Sequence, residues 1–163
     1  MTQQGTTPQT SIAWDSALGF GVSIPFVEHL GFELLSFSGG LSELRFAPRP
    51  EHLNSFNVVH GGALMTLLDV TMACAGRSVQ PDLGLVTIEM KTSFVRPAQG
   101  TLRARGALLH RTATMAFTEA RVLDAAGHLC AHATGTFKFV RRLPERTTRS
   151  QRLHPGPDGL RTD

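Results

Sequence analysis

The chain has 163 residues, 41% of them hydrophobic and 18% charged, which is enough for one soluble domain built on one real core. Its formal net charge of +3 is a property of the tail, because residues 141–163 hold six Arg against three acids while residues 1–140 hold ten basic and ten acidic residues. No aromatic residues interleave those arginines, so the basic balance reads as a solvated tail and not as a nucleic-acid surface.

In chain order, residues 1–21 are rich in Gln, Thr, Ser and Gly and read as a mobile arm. The opening MTQQGTTPQT has neither a basic start nor an apolar core, and no run of about 18 apolar residues follows, so a cytoplasmic protein with no membrane partner is expected. IPFVEHL (24–30) has the pattern of a short helix. GFELLSFSGGLSELRF reads as two strands about the Ser38-Gly39-Gly40 turn, ended by Pro48 and Pro50. From about His60 to Val79 runs the one long helical candidate. Four segments of strand character follow: LGLVTIEMKTSFV, TLRARGALLH, MAFTEARVLD and HLCAHATGTFKFV. The links between them, Pro97-Ala98-Gln99-Gly100, Arg111-Thr112-Ala113 and Ala125-Ala126-Gly127, suit short antiparallel connections and predict a four-stranded meander. Residues 142–163 combine Pro, Gly and charge without apolar periodicity and read as a flexible basic tail, which leaves 22–141 as the working domain.

An apolar sheet face must be covered, and only one long helix is on offer. The expected fold is therefore α+β: a long central helix wrapped by a curved antiparallel sheet of about six strands. Its exposed edges or faces call for a second copy of the chain.

On that helix, at about 100° per residue, Ala63, Leu64, Leu67, Val70, Thr71 and Cys74 form the expected core stripe. Asp69 points nearly opposite, among Met65, Thr66, Met72 and Ala73, and no other formal charge lies between His60 and Gly76. A lone carboxylate on so apolar a face is expensive to desolvate, and burial would raise its pKa. It serves either a structural hydrogen bond or a catalytic or binding role. At the helix start, His60-Gly61-Gly62 offers exposed backbone N–H groups at the positive end of the helix dipole, an oxyanion hole in outline. A tight helix start is the other use of such a glycine pair. Eight residues at 1.5 Å per residue put Gly61 and Asp69 about 12 Å apart, whereas a reacting carbonyl needs both groups within about 3–3.5 Å. An antiparallel pair of helices in a two-fold dimer would bring Gly61 of one chain to Asp69 of the other.

The two cysteines, Cys74 and Cys130, lack CxxC spacing and read as buried free thiols. His128 and His132 share a strand face, but with no HExxH and no acid at ligand spacing a metal is not expected.

Asn54, five residues, His60-Gly61-Gly62, six residues and Asp69, followed by the Leu85-Val86-Thr87 and Ala133-Thr134-Gly135-Thr136-Phe137 strands, form a pattern that resembles the hotdog-fold acyl-CoA thioesterases, in particular their phenylacetate-pathway branch. The resemblance spans roughly 25–141. It implies hydrolysis of acyl-CoA to free acid and CoA by a homodimer with a continuous sheet, often paired into a homotetramer, with CoA entering as substrate and no cofactor. By the same resemblance the Gly61 N–H would receive the thioester oxygen, His60 and Asn54 would place the thioester, Asp69 of the partner would act as nucleophile or general base, and Thr87 would orient water or the carboxylate. Gly62, Met65, Phe56 and Arg96 are the expected substrate contacts; Arg96, like Arg111 and the tail arginines, serves either as a donor to the CoA phosphates or as a solvated surface charge. A non-catalytic acyl-CoA-binding module of the same fold is the alternative. A hotdog hydratase would show a Gly-Asp-x-Asn-Pro-x-His-like segment, and there is none.

Overall fold

A computed structural model describes residues 20–21 and 23–141; the expected arm over 1–21 and tail over 142–163 lie, but for residues 20 and 21, outside the described residues. The element order is α1 (Pro25–Leu30), β1 (Phe32–Ser38), β2 (Leu41–Phe46), a 3-10 turn at Pro50–His52, α2 (Gly61–Arg77), β3 (Leu83–Phe94), β4 (Leu102–Arg111), β5 (Met115–Leu123) and β6 (Leu129–Arg141). Every element read from the sequence is present within about two residues of its expected ends. Pro25 opens α1, and Gly31 closes it at φ 75°, where its amide reaches the carbonyls of Val27 and Glu28.

The six strands form one antiparallel sheet in the order β1-β2-β4-β5-β6-β3. It wraps α2, giving the hotdog arrangement, and it is not closed. Alternation explains the inner face. Along β5, Ala116, Thr118, Ala120 and Val122 are buried, whereas Phe117 and Arg121 face outward. Phe46, Phe137, Leu44, Leu102 and Val122 close over Leu67, Leu68 and Met72 of α2. Helix and sheet approach tightly at Gly106 of β4. There the Ser42 hydroxyl donates to the Thr71 carbonyl at 2.7 Å, and a Cβ at position 106 would lie 2.8 Å from that carbonyl oxygen.

Two expectations need correction. The last four strands are not a simple meander, because β3 pairs with β6 and lies at the far edge, while β4 pairs with β2 and β5. The Pro97–Gly100 segment is therefore a crossing and not a hairpin turn. It is pinned where the Val95 and Arg96 amides reach the Cys130 carbonyl and where the buried Ala98 accepts from the Val59 amide. Second, the buried surface of α2 is wider than one stripe: Leu68, Met72, Ala75 and Gly76 are also inside, and Val70 is only half-buried. A sheet that curls round a helix covers more than one face of it. Cys74 and Cys130 are buried free thiols, and burial pushes Cys74 up to about 12.

Candidate active site

The loop ahead of α2 is shaped by one side chain. Asn54 Oδ1 accepts the Phe56 amide at 2.9 Å and the Val58 amide at 3.4 Å, while its own backbone pairs with Val58 and Asn57. Asn57 takes the left-handed conformation this turn requires, at φ 59°. The loop is tied to the body of the domain where the His60 amide donates to the His52 carbonyl at 2.8 Å.

His60 is the N-cap of α2. Its Nδ1 accepts the Gly62 amide at 2.9 Å, so the neutral ring carries its proton on Nε2. One of the orphan amides of the first turn is thereby satisfied from within. The Gly61 amide has no acceptor among the described residues. Gly61 lines a hollow of about 330 Å³ together with Asn54, Val58, Phe94, Arg96 and Ala98 among others.

Asp69 lies further along α2 on the face left free by the sheet. The Thr87 hydroxyl of β3 donates to Asp69 Oδ1 at 2.7 Å within the same chain. Desolvation holds the Asp69 carboxyl above its ordinary value, and the Thr87 hydrogen bond opposes that shift. A second hollow, of about 500 Å³, surrounds the carboxylate and is mainly apolar, with Ile24, Phe26 and Val27 of the α1 region, Met65 and Val70 of α2, and Met90 of β3.

The expected residues thus fall into two groups. Asn54, Gly61 and Arg96 line the first hollow; Asp69, Thr87 and Met65 line the second. His60 and Gly62 line a smaller cavity of about 250 Å³ with Phe26, His52 and Thr66. Phe56 lines none of the three and stands at the loop tip, 83% exposed. Within one chain the two main groups stay apart, separated by the eight-residue rise of α2, about 12 Å.

Several wall residues escaped the sequence reading. Phe94 sits with its ring 3.3 Å from where a Gly61 Cβ would be, and Val95 and Pro97 reach the first hollow only because β3 crosses back to β4. Phe26 and Met90 face Asp69 through tertiary packing. His52 is buried with its Nδ1 accepting the Arg49 amide, and burial pushes its pKa down. Phe26, an apolar residue at the start of a very short helix, is largely exposed and lines both the second hollow and the smaller cavity.

A helix start with an open amide and a half-buried carboxylate held by a hydroxyl, each beside its own partly apolar hollow, thus stand on one hotdog scaffold. Residues 56–131 match the family model described as the thioesterase superfamily. A protein of Halobacterium salinarum whose name proposes an esterase is 30% identical over 125 residues, spanning 69% of this chain and 82% of that protein. Among solved structures, a conserved protein of Pseudomonas aeruginosa is 32% identical with a TM-score of 0.70, covering 72% of this chain and 95% of the other. A mutant of the phenylacetic acid degradation protein PaaI from Thermus thermophilus is 27% identical with a TM-score of 0.66, covering 72% and 100%. The chain belongs to the thioesterase superfamily, and it is an enzyme of that class, a thioester hydrolase. Among the described residues no helix is long and apolar enough to cross a membrane.

Proposed function

We propose that the chain hydrolyses acyl-CoA thioesters to free acid and CoA in a homodimer, each site being built from two subunits. The observation that carries this reading is the division of the site: the desolvated Asp69 and the free Gly61 amide are both present, and neither has its counterpart within reach in one chain. In the two-fold pair, the acyl group lies in the apolar hollow around Asp69 while the thioester oxygen points to the Gly61 amide of the partner subunit. Arg96, beside that amide's hollow, is placed to meet a phosphate of CoA.

In the general-base route, Asp69 takes a proton from water as the oxygen attacks the thioester carbon. The oxyanion forms against the Gly61 N–H and the positive end of α2. Collapse breaks the C–S bond, and the Asp69 carboxyl returns its proton to the departing thiolate. In the nucleophilic route, the carboxylate attacks first and expels CoA as its thiolate, which takes a proton from solvent, to give a mixed anhydride; water then opens it to the free acid and the regenerated Asp69 carboxylate. A carboxyl held above its ordinary pKa serves the first route well, because it is a stronger base. Single-turnover hydrolysis in ¹⁸O-water separates the routes, since only the anhydride route leaves label on Asp69 when water attacks the Asp69 acyl carbon. Neither route draws on a metal or cofactor.

Mixing two dead variants tests the reading. Asp69→Asn and Gly61→Pro are each expected to lose turnover, measured as thiol release from aromatic and aliphatic acyl-CoAs. A heterodimer of the two holds one site with both defects and one site with none, so activity should return on mixing. If the site lay within one chain, every site in the mixture would be defective and no activity would return. Ligand binding without thiol release on the whole panel would favour the non-catalytic acyl-CoA module.

A further inference from the structure

Two chains that complete each other's site as proposed above must meet in a definite register, and two separate features of one chain point to the same one. The first is the helix. Antiparallel partners that place Gly61 against Asp69 have their two-fold midway between these residues, at Met65, which stands on the free face of α2. Beside it, β3 runs antiparallel to α2, with Thr87 bonded to Asp69 and the Phe94 ring against Gly61. The midpoint on β3 falls at the step between Met90 and Lys91. Met65 and Met90 line one hollow, so helix and strand agree on where the axis passes.

The second feature is the charge pattern of the edge. β3 has β6 on one side only, and after the irregularity between Thr87 and Glu89 its register is unbroken from Glu89 to Phe94. Residues directly opposite in an antiparallel pair point to the same side of the sheet. With the axis perpendicular to the sheet, a two-fold relation then requires it to fall on a residue and not between two. At Glu89 it would set Glu89 against its own copy. At Lys91 it would set two lysines together. Only at Met90 do opposite charges meet, because Glu89 then faces Lys91 of the partner subunit and Lys91 faces Glu89 of the partner subunit.

We infer that the dimer axis crosses β3 at Met90, and that this reciprocal Glu89–Lys91 pair sets the seam and, through it, the geometry of the site. Moving the axis by one residue slides the partner strand by two, about 6.8 Å. That would carry the partner's Gly61 amide out of reach of a carbonyl held at Asp69. Both charged side chains are exposed and stand on the face away from α2, where neither touches the reacting groups.

Charge reversal tests the register. Glu89→Lys and Lys91→Glu should each raise the dimer dissociation constant about tenfold or more, read by sedimentation or by subunit exchange with labelled chains. An equimolar mixture of the two should form heterodimers, and the doubly reversed chain should dimerise like the wild type. A Met90→Cys chain with Cys74 and Cys130 replaced should cross-link to its own copy on oxidation, because mates in the register lie about 4.5–5.5 Å apart, within disulfide range. Cysteines placed singly at 89 or 91 should not. The register is overturned if only one reversal weakens the dimer, if the double reversal stays as weak as the singles, or if cross-linking favours 89 or 91. Should the Asp69→Asn and Gly61→Pro mixture recover turnover while the reversals leave dissociation unchanged, the two-chain site stands and this register falls. A fully active monomer removes both.

Discussion

Replacing Gly61 by proline isolates the role of a single N–H. Gly61 is the first residue of α2 and has no positive φ, and proline is at home at that position because the amide it lacks is unused by the helix. The residue before it already suits a following proline, since His60 has φ −60° and ψ 137°. The added Cβ would come within 3.3 Å of Phe94 Cζ, the edge of a ring that is 53% exposed and has room to give. Stability should therefore change little, with about 0.4–1 kcal/mol of unfolded-state entropy acting in the variant's favour. Turnover should not be spared. Loss of one oxyanion donor costs about 2.7–4 kcal/mol in the barrier, so kcat should fall by about 10²–10³. Gly61→Ala is the matched control, because it adds the same Cβ against the same ring and keeps the amide. Steady-state thiol release should show kcat lost in the proline variant and largely kept in the alanine variant, with both melting near the wild type. If the proline variant turns over within a few-fold of the alanine variant, the Gly61 amide does not stabilise the oxyanion.

Thr87→Val removes the donor that holds the Asp69 carboxyl down against desolvation; the acid limb of kcat/KM should move to higher pH, with activity recovering at the alkaline end of the profile. Asp69→Asn should abolish turnover yet stabilise the fold at pH 7. A carboxyl whose folded pKa is raised favours folding below its ordinary value of 3.8 and loses that contribution as pH rises through the folded value, so the gain from asparagine should vanish on acidification. Urea unfolding across pH checks this. Gly106→Ala forces a methyl to 2.7 Å from Ser42 Oγ and 2.8 Å from the Thr71 carbonyl, and should destabilise the protein by about 1–3 kcal/mol in a denaturant titration.

The elements were legible because the signals that form them are local: alternation in β5, Pro25 and Gly31 at the ends of α1, the Gly39-Gly40 turn. Partnership between strands was not. Pro97 and Gly100 correctly mark a break, but whether β3 then folds back on β4 or passes beyond β6 is settled by packing across the whole sheet. The helical wheel failed at Met72 for a related reason: a wheel assumes one buried side, and a wrapped helix is buried on more than one. At the site, Asp69 announced itself as a lone charge in an apolar run. Thr87 was named only through the family resemblance, being by itself an ordinary β-branched strand residue until the fold sets its hydroxyl on the carboxylate. His60 read as part of an oxyanion turn, and its observed bond is more economical: by taking the Gly62 amide, it leaves that of Gly61 open.

The place of β3 in the sheet also orders events during synthesis. Thr87 and the open edge of β3 are made early, yet β3 has a single neighbour, β6, whose residues Leu129–Arg141 are the last described segment of the domain. Until that strand has left the ribosome, β3 lacks its ladder, Thr87 has no fixed post from which to hold Asp69, and the proposed seam has no edge to form on. Long-range closure of this kind is slow and comes late. Assembly of the proposed dimer would therefore wait for the full domain, and a chain stalled before β6 would carry an unpaired strand with two open edges, a species for chaperones.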